Sequence, residues 1–202
     1  MESKLLNKPI LEDGLSRVDG RLKVTGTAKY SAEYDVKGLV YGVMVGSTIT
    51  KGSIKSIDTK PAERAPGVVA VITYLNCPNI PGYHTPDQPP KGPLKIFVDN
   101  SIYFNGQPIA LVIADTYERA LYAASLVKAT YNKDDHQTDL KANLDKGVAQ
   151  GKGKDYVRGQ EDAWKSAAVK LEQEYMLPTE VHNPMELHAI IARWDADDKI
   201  TV

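Results

Sequence analysis

Cysteine is almost absent: Cys77 is the only one in 202 residues. A single thiol cannot close an internal disulfide, and it excludes a zinc or iron–sulfur centre built from this chain's cysteines. It sits in Leu75-Asn76-Cys77-Pro78, a turn sequence, and reads as a passive free thiol that suits a reducing compartment. Long apolar runs are missing as well. No uncharged apolar stretch approaches the ~18 residues that a membrane-spanning helix needs. Residues 1–13 carry neither an apolar h-region nor twin arginines, so the reading there is a flexible leader rather than a secretion signal. Charge of one sign is balanced away: 25 Lys+Arg against 26 Asp+Glu leave −1. With no basic stripe interleaved with aromatics, nucleic acid is not an expected partner. No Gly-x-Ser-x-Gly nucleophile elbow and no internal repeat occur.

What is present is globular. Hydrophobic residues make up 42% and charged residues 25%, enough for a sizeable core in one domain or one domain plus part of a second. Aromatics are lopsided, with 11 Tyr against 2 Phe and 2 Trp, which suits strand ends and interfaces. The chain predicts a β-prone stretch at Val24 to Tyr30. A strand over Leu39 to Ile49 is so continuously apolar or small that burial on both faces is expected. An alternating strand follows at Ser53 to Asp58, one helical turn at Pro61 to Arg64, and a β-branched strand at Val68 to Thr73. Six of the twelve prolines then fall between Pro78 and Pro93, so residues 75–95 read as a long loop with a role in contact.

Asn105-Gly106 predicts a hairpin between Ile102-Tyr103-Phe104 and Pro108 to Ala114. Asp115 or Thr116 caps the next helix, whose apolar stripe would be 117, 120, 121, 124 and 127, and Val127 to Tyr131 drifts into strand. Further strands are expected at Val169 to Met176 and Glu186 to Trp194, after a short helix at Gln160 to Ala168. The last residues read as strand, polar turn and a short returning strand, which suggests the front piece of a longer protein. This order of elements predicts an α+β fold with a mixed sheet. The expected organisation is a leader (1–15), a first domain (16–137), a Gly/Lys/Asp-rich linker (138–159) and the start of a second domain (160–202).

Candidate chemistry is sparse. His182, Glu186 and His188 would share a face of an extended chain and could supply a metal triad by residue type, although Pro184 interrupts the pleat. Structural histidines are the plainer reading. His84 is only a loop position, and nothing singles out His136. Gly151-Lys152-Gly153-Lys154 lacks the strand, the helix start and the Lys-Ser/Thr ending of a phosphate loop, so it reads as linker. No self-contained active site emerges.

Three segments in order resemble the large, molybdenum-binding subunit of the xanthine dehydrogenase/aldehyde oxidase family. They are Arg17-Val18-Asp19-Gly20 with Lys23-Val24-Thr25-Gly26-Thr27-Ala28-Lys29-Tyr30; Ile102 to Thr116 with the helix Ala120 to Tyr131; and Glu174-Tyr175 with His182-Asn183-Pro184-Met185-Glu186. Leu187 stands where the family usually has proline. The resemblance implies an α/β-hammerhead domain followed by the opening of a molybdopterin-binding domain. It implies that the full subunit hydroxylates an aldehyde or an N-heterocycle, using molybdenum held by a pterin and a glutamate base. Electrons would leave through 2Fe-2S and FAD partner subunits or domains. It places the catalytic and cofactor-binding residues outside this chain, so no catalytic, cofactor or metal residue is assigned here. The compartment it implies is the cytoplasm, or the periplasm by export with a signal-bearing partner. The alternatives are a stand-alone hammerhead-like interaction module and a small metalloprotein resting on the histidine cluster.

Overall fold

A computed structural model describes residues 16–80, 83, 94–148, 156, 158–160 and 162–202. The expected leader, His84, the Gly151–Lys154 stretch and most of the proline-rich loop lie outside the described residues. Contacts divide the chain into two units, residues 37–156 and residues 1–36 with 157–202.

In the unit that begins the chain, α1 (Gly20–Val24) runs into the stretch expected to be β-prone, Val24 to Tyr30, where no strand forms. Its short length is braced by Lys23 reaching back 2.6 Å to Asp19, an i,i+4 pair. A 3-10 turn at Ser31–Glu33 follows. The Glu33 carboxylate accepts from the Tyr30 N–H at 2.7 Å, and the Glu33 N–H donates to the Tyr30 carbonyl at 2.9 Å.

The unit of residues 37–156 carries the core. β1 (Tyr41–Gly46), β2 (Gly52–Asp58), α2 (Lys60–Glu63), β3 (Val68–Thr73), β4 (Ser101–Ile102), β5 (Pro108–Ala114), α3 (Tyr117–Leu126) and β6 (Lys128–Lys133) form two three-stranded sheets, ordered β1-β5-β3 and β4-β2-β6. Every described strand pair is antiparallel, so the expected mixed sheet is corrected. The fold class stands: this is α+β.

β5 is the centre of the first sheet. Paired on both sides, it buries Ile109, Ala110, Val112 and Ala114. Ala110 and Val112 join Ala62, Val71, Ala123 and Val127 in one cluster, while Ile109 joins Ile49, Ile54 and Ile102 in a second. β1 was expected to be buried on both faces, but it is an edge strand, and Tyr41 and Met44 are exposed. Having only one neighbour, it is left open to solvent despite its apolar sequence.

The predicted helix stripe is rotated in α3. Thr116 caps it, accepting from the Arg119 N–H, while Asp115 ion-pairs with Arg119 and donates its own N–H to the Gly67 carbonyl. The buried positions are Ala120, Ala123 and the following Val127, whereas Tyr117 and Leu121 are each 52% exposed. The small side chains let the helix backbone approach the sheet closely, which turns the bulky ones outward.

Asn105-Gly106 does turn the chain, with Gly106 at φ +87°, but it does not join partners. β4 pairs with β2 and β5 pairs with β1 and β3, so the turn passes the chain from one sheet to the other. What holds it is a buried polar knot. Gln107 Nε2 donates to the Ser101 carbonyl at 2.7 Å, and Gln107 Oε1 accepts from the Tyr103 N–H at 2.8 Å. The Ser47 N–H donates to the Gln107 carbonyl at 2.8 Å, and Ser47 Oγ to the Phe104 carbonyl at 2.9 Å. Within the expected linker, residues Lys141–Lys146 form 3-10 turns, and part of the rest lies outside the described residues.

In the closing part of the chain, the short helix expected at 160–168 is reduced to a 3-10 turn at Ala163–Ser166. The strand expected at 169–176 is absent. The strand expected over 186–194 is confined to β7 (Arg193–Ala196), which pairs with β8 (Lys199–Thr201). Residues 168–192 make no backbone–backbone hydrogen bond among the described residues. An alternating pattern becomes a strand only where a ladder partner is present, and here pairing starts only where β8 faces β7.

Candidate functional site

Among the described residues, the polar residues named from sequence meet only in the segment His182 to His188. The chain bends at Met185 and Glu186, just after Pro184, and Glu186 meets Ser31, 155 positions earlier. Its Oε1 accepts from the Ser31 N–H at 2.9 Å and from Ser31 Oγ at 3.0 Å. The backbone N–H, then the hydroxyl, hold the Glu186 carboxyl below its ordinary range, with the nearby His188 and Lys23 adding to the effect. The His182 and His188 rings stack with centroids 5.7 Å apart and planes 27° apart. An open cleft of about 620 Å³ lies beside them, lined by Ser31, Pro184, Glu186, Leu187, His188, Ala189 and Ile190.

This arrangement is poor machinery for proton transfer or metal binding. A general base works best with a pKa near the operating pH, and Glu186 is pushed the other way. The two imidazoles face each other rather than a shared point, and no group of three or more His, Cys, Asp or Glu among the described residues could hold a metal ion. The metal-triad alternative therefore has no geometry behind it: Glu186 is committed to Ser31. What the cluster does is tie residue 31 to residue 186.

The other named residues lie apart. His136 is exposed in the unit of residues 37–156, its Nδ1 3.4 Å from the Asp134 carbonyl. It lines an open cleft of about 610 Å³ with Thr50, Lys51, Tyr103, Phe104, Asp135, Gln137 and Thr138. Cys77 is partly buried, and its N–H donates to the Thr73 carbonyl. Sequence reasoning missed Ser31 as the partner of Glu186; nothing local marks a contact across 155 residues. It also passed over Ser47, which with Gln107 and Thr73 makes up the buried polar residues of the described chain.

Comparison with known proteins supplies what the site does not. The family model described as "Aldehyde oxidase and xanthine dehydrogenase, a/b hammerhead domain" matches residues 25–135. The aldehyde oxidoreductase molybdenum-binding subunit PaoC of Escherichia coli (strain K12) is 38% identical over 191 residues, covering 92% of this chain and 25% of that protein. A probable xanthine dehydrogenase subunit of Bacillus subtilis (strain 168) is 29% identical over 208 residues, covering 98% of this chain and 27% of its own. Among solved structures, the aldehyde oxidoreductase from Desulfovibrio gigas superposes with a TM-score of 0.53 at 26% identity, covering 76% of this chain and 19% of that one. The chain thus spans about a quarter of the length of these curated relatives.

Proposed function

This chain belongs to the aldehyde oxidase and xanthine dehydrogenase family, as its hammerhead region, and on that premise we propose that it serves as the N-terminal part of a molybdenum hydroxylase subunit. It is homologous to the N-terminal region of such large subunits. The whole protein oxidises an aldehyde or an N-heterocycle, with 2Fe-2S and FAD on partner subunits or domains, in the cytoplasm or, by export with a signal-bearing partner, the periplasm. Residues 16–137 are the hammerhead domain, 138–159 the linker and 160–202 the opening of the molybdopterin-binding domain. These residues scaffold the subunit and shape its substrate entrance, with the proline-rich stretch 78–93 as a contact surface.

The observation that carries this reading is the near-complete alignment with a relative four times as long, PaoC, whose name states molybdenum binding. Molybdenum in such a subunit is held through its pterin rather than by a set of protein side chains, and no described residue is assigned a part in holding it, so no chemical step is routed through it here. When bound, that group would supply the oxidising centre, and the role of these residues is positional. Among the described residues no helix is long and apolar enough to cross a membrane.

The test is the native protein. Purified from its source and analysed for mass and elements, it should be a polypeptide several times longer than 202 residues with about one molybdenum per copy, active on aldehydes or N-heterocycles. A native protein of this length without molybdenum would overturn the reading and favour a stand-alone hammerhead-like interaction module.

A further inference from the structure

We propose that Asn105 is a deamidation site kept shut by the fold: its amide survives while the turn between the two sheets is closed, and it converts to aspartate and isoaspartate when that turn opens. Asn105-Gly106 is the one Asn-Gly pair in the sequence. Such a pair is reactive because glycine has no Cβ to shield its backbone nitrogen. The Gly106 nitrogen gives up its proton to hydroxide and bonds to the Asn105 Cγ, whose amide nitrogen takes up a proton and leaves as ammonia. Water then opens the five-membered imide at either carbonyl, giving aspartate or isoaspartate. Only water is consumed, no electrons are exchanged, and the reaction is independent of molybdenum. Both residues are exposed, so water reaches them.

Two features of the closed turn hold the reaction off. Gly106 has φ +87° while Asn105 keeps a negative φ, and the Gln107 N–H donates to the Phe104 carbonyl at 3.3 Å. That is the type II pattern, in which the first central residue holds ψ at about +120°. At that angle the Gly106 nitrogen points away from the Asn105 Cβ, whereas the ring closes only with the nitrogen on the Cβ side. The second feature is a hydrogen bond. The Gly106 N–H, whose proton must be removed, donates to the Ser47 carbonyl at 3.0 Å. Buried Ser47 and Gln107 fix the turn through their bonds to the Phe104 and Ser101 carbonyls. Conversion would undo this clasp. Gly46 lies so close to Gly106 that an added Cβ would stand 3.1 Å from the Gly106 Cα. Isoaspartate adds a backbone carbon one residue from that contact and pushes the two strands apart.

The native protein, held at mildly alkaline pH and digested with trypsin, tests this. Peptide 96–119 carries both Asn105 and Asn100, which is followed by Ser101, and fragment masses separate the two. Asn105 should convert at least about 10-fold more slowly in the folded protein than in urea-unfolded protein, because only the open turn reacts. Ser47→Ala keeps the Ser47 carbonyl but removes the hydroxyl's bond to the Phe104 carbonyl. In the folded variant Asn105 should convert about 3-fold faster or more, with Asn100 unchanged. Equal conversion of Asn105 in folded and unfolded protein would overturn the proposal. So would a folded Ser47→Ala protein in which Asn105 keeps its rate, or in which Asn100 speeds up in step, because then the whole unit opens rather than the turn. Should Ser47→Ala fail to fold, the comparison of folded and unfolded natural sequence decides alone.

Discussion

Residues 37–156 and the segment 162–202 contain comparable apolar side chains and put them to opposite use. In the first, Val112 is fully buried between the neighbours of a strand paired on both edges. In the second, Leu171 and Trp194 stand in solvent. Every buried residue of the described chain lies between Ser47 and Val127. The contrast shows that apolar content does not make a core. A core forms where hydrogen-bonded elements hold those side chains on a shared face, and among the described residues 168–192 contribute no such element. The two-stranded β7–β8 ribbon, exposed on both faces, is marginal by itself for the same reason.

The contrast can be broken by mutation, measured by chemical denaturation of the 202-residue chain. The largest effect is expected at Gly52, whose φ is +143° and where an added Cβ would stand 2.1 Å from the Asn132 carbonyl oxygen of β6. Gly52→Ala must strain the backbone and part β2 from β6, costing about 3–5 kcal/mol. Ile102→Ala, deep in the second cluster, should cost about 2–5 kcal/mol. Gln107→Leu removes both side-chain bonds of the polar knot, taking away the acceptor of the Tyr103 N–H and one donor to the Ser101 carbonyl, and should cost about 1–3 kcal/mol. Leu171→Ala should stay within about 0.5 kcal/mol in this chain. A Leu171→Ala loss as large as that of Ile102→Ala would erase the distinction between the two regions.

The smallest effect concerns Glu186. Its folded pKa lies below the ordinary 4.5, so its bond to Ser31 adds stability that is full above pH 4.5 and is lost as pH falls through the lowered value. A carboxyl titration followed by NMR should show this depression. In Ser31→Ala the depression should shrink but persist, because the backbone N–H, its larger cause, remains. An unchanged Glu186 titration in that variant would remove the hydroxyl's part in the contact.

The residues allowed a reading of the fold to the extent that structure follows local pattern. β3 and β5 match their expected ranges to the residue, because β-branched runs ended by turn residues leave little choice. A cap at Asp115 or Thr116 was foreseen because capping is a local bond, and Thr116 is the one that caps. Where a choice depended on a neighbour, the pattern misled. Asn105-Gly106 announced a turn correctly but could not say that its flanking strands join different sheets. The helix stripe was drawn by periodicity through 117, 120, 121, 124 and 127; Ala120 and Val127 are buried as drawn, while Tyr117 and Leu121 face solvent and Ala123 is buried. In the candidate site, His182, Glu186 and His188 were visible as a cluster of types. That Glu186 turns to Ser31 while the rings stack on each other was not.

By itself the sequence determined the family, through colinear motifs spread over most of the chain, and the positions of the strands whose hydrophobicity is continuous. Tertiary structure alone decided which strand lies at the centre of a sheet, which face of α3 is covered, and that the pattern at 169–177 forms no strand here. The reason is that a β-ladder and a packed face are properties of two partners at once. One segment's residues can state what it is able to pair with, but only the presence of the other makes the pair.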